Sequence, residues 1–214
     1  MRRIRADYND DASIISSMTT TDIENVHQFI DANLETILLN DMMRLPGRTP
    51  LAMQDDTKTA IDDWLPWKPI ESTVSTSDIE ELEQEINLRY PKLYVEFLQY
   101  KHFCELWQVA EITFFRHEID NWRQTLLNRY YDAWLPEQLI DKGYIHFADY
   151  SDWGIVCFDT NEQRSDDYDC PIIMIDHELL FDNPVPKKTL YSSFAEMMQS
   201  LLEEQKNPTE SDEE

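Results

Sequence analysis

Apolar residues recur at helical spacing in the first part of the chain, where Ile23, Val26, Ile30, Leu34, Ile37 and Leu38 return every three or four positions. Thr21-Asp22-Ile23-Glu24 stands in front of them as a capping box, with a Thr oxygen and a Glu carboxylate each available to an orphan backbone N–H. The pattern predicts one amphipathic helix over about 22–39. Pro46-Gly47 and Pro50 interrupt it, and a weaker helical piece is expected to end near Trp64, before Pro66 and Pro69. A second helix is expected from Ser77 as N-cap and Glu80 at the third position, with Ile79, Leu82 and Ile86 on one face. Tyr90-Pro91 closes it and opens another, striped by Tyr94, Phe97 and Leu98. A further helix is expected over 120–134, with Trp122, Leu126, Leu127 and Tyr130 inward.

After Pro136 the period changes. Tyr144–Ala148, Trp153–Phe158 and Pro171–Ile175 are short β-branched and aromatic runs bounded by turn residues, so they read as strands. The connection 149–152 is short enough to make the first two antiparallel neighbours. Ser193 with Glu196 then starts a closing helix carrying Phe194, Met197, Met198, Leu201 and Leu202. Helices, a strand meander and a last helix indicate an α+β fold, an antiparallel sheet flanked by helices, rather than a doubly wound one. The expected organisation is an N-terminal helical extension over 1–60, a single domain over 61–204, and a disordered acidic tail over 205–214.

Composition removes several function classes. The 214 residues hold 43 Asp and Glu against 18 Lys and Arg, a formal charge of −25. Such a surface repels phosphates, which argues against direct binding to nucleic acid and to anionic membranes. The 42% hydrophobic content is too high for a disordered acidic chain. Only three glycines are present, Gly47, Gly143 and Gly154, too far apart for a Rossmann fingerprint or a Walker A loop. Three cysteines without CxxC spacing suggest neither a disulfide framework nor a zinc knuckle, and a cytoplasmic address fits them. The basic Met1–Arg5 start is followed by Asp7, Asp10 and Asp11 rather than an apolar run, so no signal peptide is predicted. No cofactor is implied.

Candidate chemistry is thin. Cys157 with His146 or His177 and Asp152 or Asp176 has the residue types of a nucleophile, a base and an orienting acid. Yet Cys157 lies within an apolar strand, where a small buried hydrophobe is the simpler reading. Asp159, Asn161 and Gln163 resemble the start of a calcium loop, but Arg164 and Cys170 occupy positions that need Gly and Glu. No metal site is predicted, and the run Asp159–Asp169 reads as a solvated acidic loop. Trp107, Trp122 and Trp134 read as core, whereas Trp153, at a turn beside Asp152, packs down or projects to a partner.

The order of these features resembles the SUKH superfamily, which holds Smi/Knr-type fungal cell-wall regulators and bacterial toxin-immunity proteins. The resemblance rests on Ser77, Ile79-Glu80, Leu82-Glu83, Tyr90-Pro91, Tyr94 and Phe97-Leu98. It continues through Ile145, Phe147-Ala148, Asp152-Trp153-Gly154, Val156–Asp159, Pro171-Ile172, Asp176-His177 and Ser193-Phe194, spanning about 64–202. Where the family often has Asn-Gly after its second helix, this chain reads Tyr100–Phe103. The resemblance implies a single SUKH-like domain with a binding role and no catalytic residues. The expected function is that of an immunity protein that neutralises a cognate toxin with a basic surface, a nuclease being one candidate. The alternative is a regulatory or scaffolding module of the fungal type. Asp152, Trp153, Asp159, Glu162, Asp166, Asp167 and Asp169 are the expected contact residues.

Overall fold

The computed structural model describes residues 18–207. Helix α1 (Thr20–Leu39) starts two residues before the expected site. Thr19 is the N-cap, its oxygen accepting from the Asp22 N–H while the Asp22 carboxylate accepts from the Thr19 N–H. The short Asp side chain reaches back as well as a Glu does, so Thr19-x-x-Asp22 prevails over Thr21-x-x-Glu24. The same displacement recurs at α2 (Thr76–Ile86), capped by Ser75 and Asp78 rather than Ser77 and Glu80.

The weak helix expected before Trp64 is absent. That stretch instead forms a hairpin of β1 (Arg44–Pro46) and β2 (Trp64–Pro66), with a 3-10 turn at Leu51–Met53. Gly47 adopts a positive φ of 83° that leads the chain away from β1, and Asp62 takes a positive φ of 51°, which a right-handed helix running to Trp64 cannot contain. Two residues of β3 (Ile70–Glu71) pair with β4 (Lys101–His102) after α3 (Lys92–Tyr100). Helix α4 (Trp122–Tyr131) buries Trp122, Leu126 and Tyr130.

The main sheet has five antiparallel strands in sequence order: β5 (Ile112–Phe114), β6 (Tyr144–Tyr150), β7 (Gly154–Asp159), β8 (Ile172–Asp176) and β9 (Lys188–Tyr191). The three expected strands form its centre, and β5 and β9 complete its edges. Helix α5 (Phe194–Lys206) begins at the expected Ser193 cap, where the Glu196 N–H donates to the Ser193 hydroxyl. It includes the first two residues of the expected tail, and 208–214, like the basic start of the chain, lie outside the described residues.

Alternation along the central strands creates two cores. Val156, Phe158 and Ile172 belong to the larger, with the apolar faces of α1, α3 and α5. Its centre is aromatic: Phe147 and Phe158 stack with centroids 4.0 Å apart, and Tyr94 lies 5.0 Å from Phe158 and 5.6 Å from Phe194. Helix α1 is part of this core, with Phe29 against Phe114 at 5.7 Å. Ile155, Cys157, Ile173 and Ile175 form the smaller core, closed by Leu139 and Leu180 with Trp134, Tyr144 and Val185. Two segments therefore make an outer cover over the sheet, residues 132–142 and 176–186.

Candidate functional site

Strand β7 separates the expected contact residues into two groups. Its six residues, at about 3.3 Å each, set its ends roughly 17–20 Å apart. Asp152 and Trp153 precede it, whereas Asp159, Glu162, Asp166, Asp167 and Asp169 follow it. The structure does not bring the seven into one cluster.

At the first end, the Trp153 carbonyl accepts from the His177 N–H at 3.1 Å, joining the β6–β7 turn to the turn after β8. The Ser151 N–H donates to the Glu111 carbonyl at 2.7 Å. Gly154 is required by close packing, since a Cβ there would lie 2.8 Å from the Tyr150 Cβ. The Trp153 ring meets Tyr150 edge-on at 5.6 Å and keeps 40% of its surface exposed, so it packs and projects at once. Asp152 is exposed beside it.

The second end is less open than a solvated loop. Asp159 is fully buried and ion-paired with Lys187, while its Oδ1 accepts from the Asn161 N–H and side-chain amide at 3.3 and 2.9 Å. Arg164, in place of a calcium-loop glycine, donates to both Asp167 oxygens at 3.0 and 2.8 Å and to Asp169 at 3.2 Å. Asp169 also accepts from the Cys170 and Phe194 N–H groups, each at 2.8 Å. Burial lifts the Asp169 pKa above the ordinary carboxylate range against the pull of those donors and Arg164. The expectation that this run simply faces water is thus corrected for Asp159, Asp167 and Asp169, which shape the loop from inside. Burying a carboxylate is costly unless it is paired, and the pairs are in place. Glu162 is exposed and Asp166 half-buried.

Cys157 and His146 are cross-strand partners, and His146 Nε2 lies 2.9 Å from Asp149 Oδ1. The residue types of a thiol dyad therefore meet, with Asp149 as the carboxylate that sequence reasoning missed. Burial raises the Cys157 pKa and lowers that of His146, so the neutral thiol and neutral imidazole are both favoured. Both side chains are sealed from solvent. His177 lies elsewhere, its ring stacked 6.4 Å from Trp134. Cys104 and Cys170 are buried as well. Trp107 is exposed, contrary to its reading as core.

A histidine pair has no counterpart in the sequence reading. His102 and His117 stack at 4.7 Å in the core. The Thr73 N–H donates to His102 Nε2 at 3.0 Å, which assigns the proton to Nδ1, and Nδ1 donates to the His117 carbonyl at 3.0 Å. His117 Nε2 donates to the Leu98 carbonyl at 2.7 Å. The pair fastens the end of α3 to the segment after β5. Among the described residues, no cluster of three or more His, Cys, Asp or Glu is placed to hold a metal, and no helix is long and apolar enough to cross a membrane.

Helices packed on a five-stranded antiparallel meander, with two opposed carboxylate-bearing ends, define a small α+β domain with a shared helical core. Residues 73–200 match the SMI1 / KNR4 family (SUKH-1), and the chain belongs to that family. The match runs from just before α2 into α5, leaving α1 and the β1–β2 hairpin outside it. No match to the chain was found among curated proteins.

Proposed function

We propose that the chain is a non-catalytic, cytoplasmic binding protein of the immunity kind, which occupies the surface of a cognate basic toxin and neutralises it. The observation that carries this reading is the distribution of uncompensated carboxylates. Glu81 and Glu85 meet Arg123, Asp31 meets Lys101 and Glu83 meets Arg89, and in the last third Asp149, Asp159, Asp167 and Asp169 are so paired among the described residues. The excess of acids is 4 over residues 1–60, 8 over 61–140 and 13 over 141–214. An outward negative field of this kind accelerates encounter with a basic protein and competes for a surface that holds phosphates. Asp152, Trp153, Glu162 and Asp166 are the members of the expected contact set that reach the surface at least in part. Asp159, Asp167 and Asp169 support the loop that presents Glu162.

Co-expression tests the proposal. Cells expressing any toxin encoded beside this gene are expected to survive only when this chain is made. Equal killing with and without it overturns the reading.

A further inference from the structure

The outer cover presents three large apolar side chains to solvent: Leu135, 53% exposed, Leu179, 37%, and Phe181, 78%. Folding does not require them there. Leu180, between two of them, is fully buried in the small core, and Val185 packs against the same core. The chain is thus pinned on one side while Leu179 and Phe181 face out. The turn is ordered by its own hydrogen bonds: the Glu178 N–H donates to the Asp176 carboxylate at 2.9 Å, and the Asp182 N–H donates to the Leu179 carbonyl at 3.1 Å. Trp134, from the other covering segment, stacks on His177 and ties the two segments together.

Around these side chains acids outnumber bases, with Lys187, paired with Asp159, and Lys188 following directly on the second segment. Residues 132–142 and 176–186 carry Asp132, Glu137, Asp141, Asp176, Glu178 and Asp182 against a single Lys142. Among the described residues none of the six carboxylates stands in an ion pair, in contrast to the paired acids of α2 and of the acidic loop. Exposed apolar side chains on two neighbouring segments, among acids that form no ion pair in the described residues, have the composition of a binding patch with an apolar centre and a polar rim.

We infer that the outer cover of the sheet is the docking surface, with Phe181 as its central anchor, and that its occupant is a protein surface in which Lys or Arg side chains surround an apolar pocket. The inference rests on the proposed function and moves the main contact from the two ends of β7 to the layer over its outer face. A second copy of this chain does not fit, because it would bring the same acids against the six already there.

Calorimetric titration with a purified, catalytically inactivated toxin against which this chain protects cells in the co-expression test is the test. Phe181→Ser is expected to weaken binding at least thirtyfold and Leu135→Ser about tenfold. Leu51→Ser, at an 85% exposed position of the N-terminal part, is expected to change it less than threefold. Each substitution removes an exposed side chain, and unchanged thermal melts verify that the fold is retained. If the wild-type chain binds and Phe181→Ser binds equally well, or Leu51→Ser is as damaging, the docking surface is overturned while the immunity reading stands. If the wild-type chain does not bind, both fall.

Discussion

Asp169 and Phe194, 25 positions apart, are joined by a 2.8 Å hydrogen bond in which the Phe194 N–H donates to Asp169 Oδ1. The Ala195 N–H reaches Oδ2 at 3.4 Å, so a carboxylate from the acidic loop sits on the positive end of α5 beside its Ser193 cap. Asp169→Ala removes these acceptors together with the Arg164 contact. A loss of about 2–4 kcal/mol is expected from urea unfolding. Asp169→Asn keeps an oxygen for Phe194 and is expected to lose less. Reduced binding in either variant therefore reports on folding before it reports on contact.

The buried histidines make stability depend on pH. His117 is held down to about 3 by burial and then by His102, and burial lowers His102 as well. The unfolded chain, with histidine near 6.5, binds more protons than the native one below that value, so stability falls as pH drops. The loss begins near pH 6.5 and continues toward about 3 for His117. At pH 5 it is on the order of 2 kcal/mol for His117 alone. Urea midpoints at pH 7.5 and 5.0 check this, and equal midpoints would contradict a neutral pair.

Burial pushes Cys104 up to about 12 and raises Cys157 and Cys170 too. Thiolate is the reactive form, and none of the three side chains meets solvent. A thiol-disulfide reagent at pH 8 is expected to label none of them in the native protein within minutes and all three in guanidinium. Rapid native labelling of Cys157 would restore the case for a thiol enzyme.

Helix α1 lies outside the family match yet fills part of the main core. Phe29→Ala, at a fully buried site, is expected to cost about 3–5 kcal/mol. Leu39→Ala, on the same helix but largely exposed, is expected to stay within about 0.5 kcal/mol. Chemical denaturation of the two variants compares them directly.

The central strands, the closing helix and its Ser193 cap were legible because β-branched runs and helical stripes are local signals. Both shifted caps share one cause: Asp22 and Asp78 serve as third-position acids where Glu24 and Glu80 look equally suitable. The β1–β2 hairpin and β9 lack a clean apolar alternation, and Lys188 and Thr189 face water on an edge strand. In the acidic loop the sequence does not say which aspartates turn inward. A hint existed in the scarcity of bases: residues 132–187 hold thirteen acids and three bases, and two of those bases, Arg164 and Lys187, bind the buried carboxylates. His102 and His117 carried no signal, since only the β4 register and the segment after β5 bring them together.

The two cores divide the labour of heredity. Val156, Phe158 and Ile172 hold the helices, whereas Ile155, Cys157, Ile173 and Ile175 hold only the cover. Substitutions in separated, non-touching sets add nearly independently. Leu135, Leu179 or Phe181 can therefore be exchanged with little expected effect on the helical scaffold. If the cover is the docking surface, recognition can change on one side of a backbone whose other side keeps the capacity to fold.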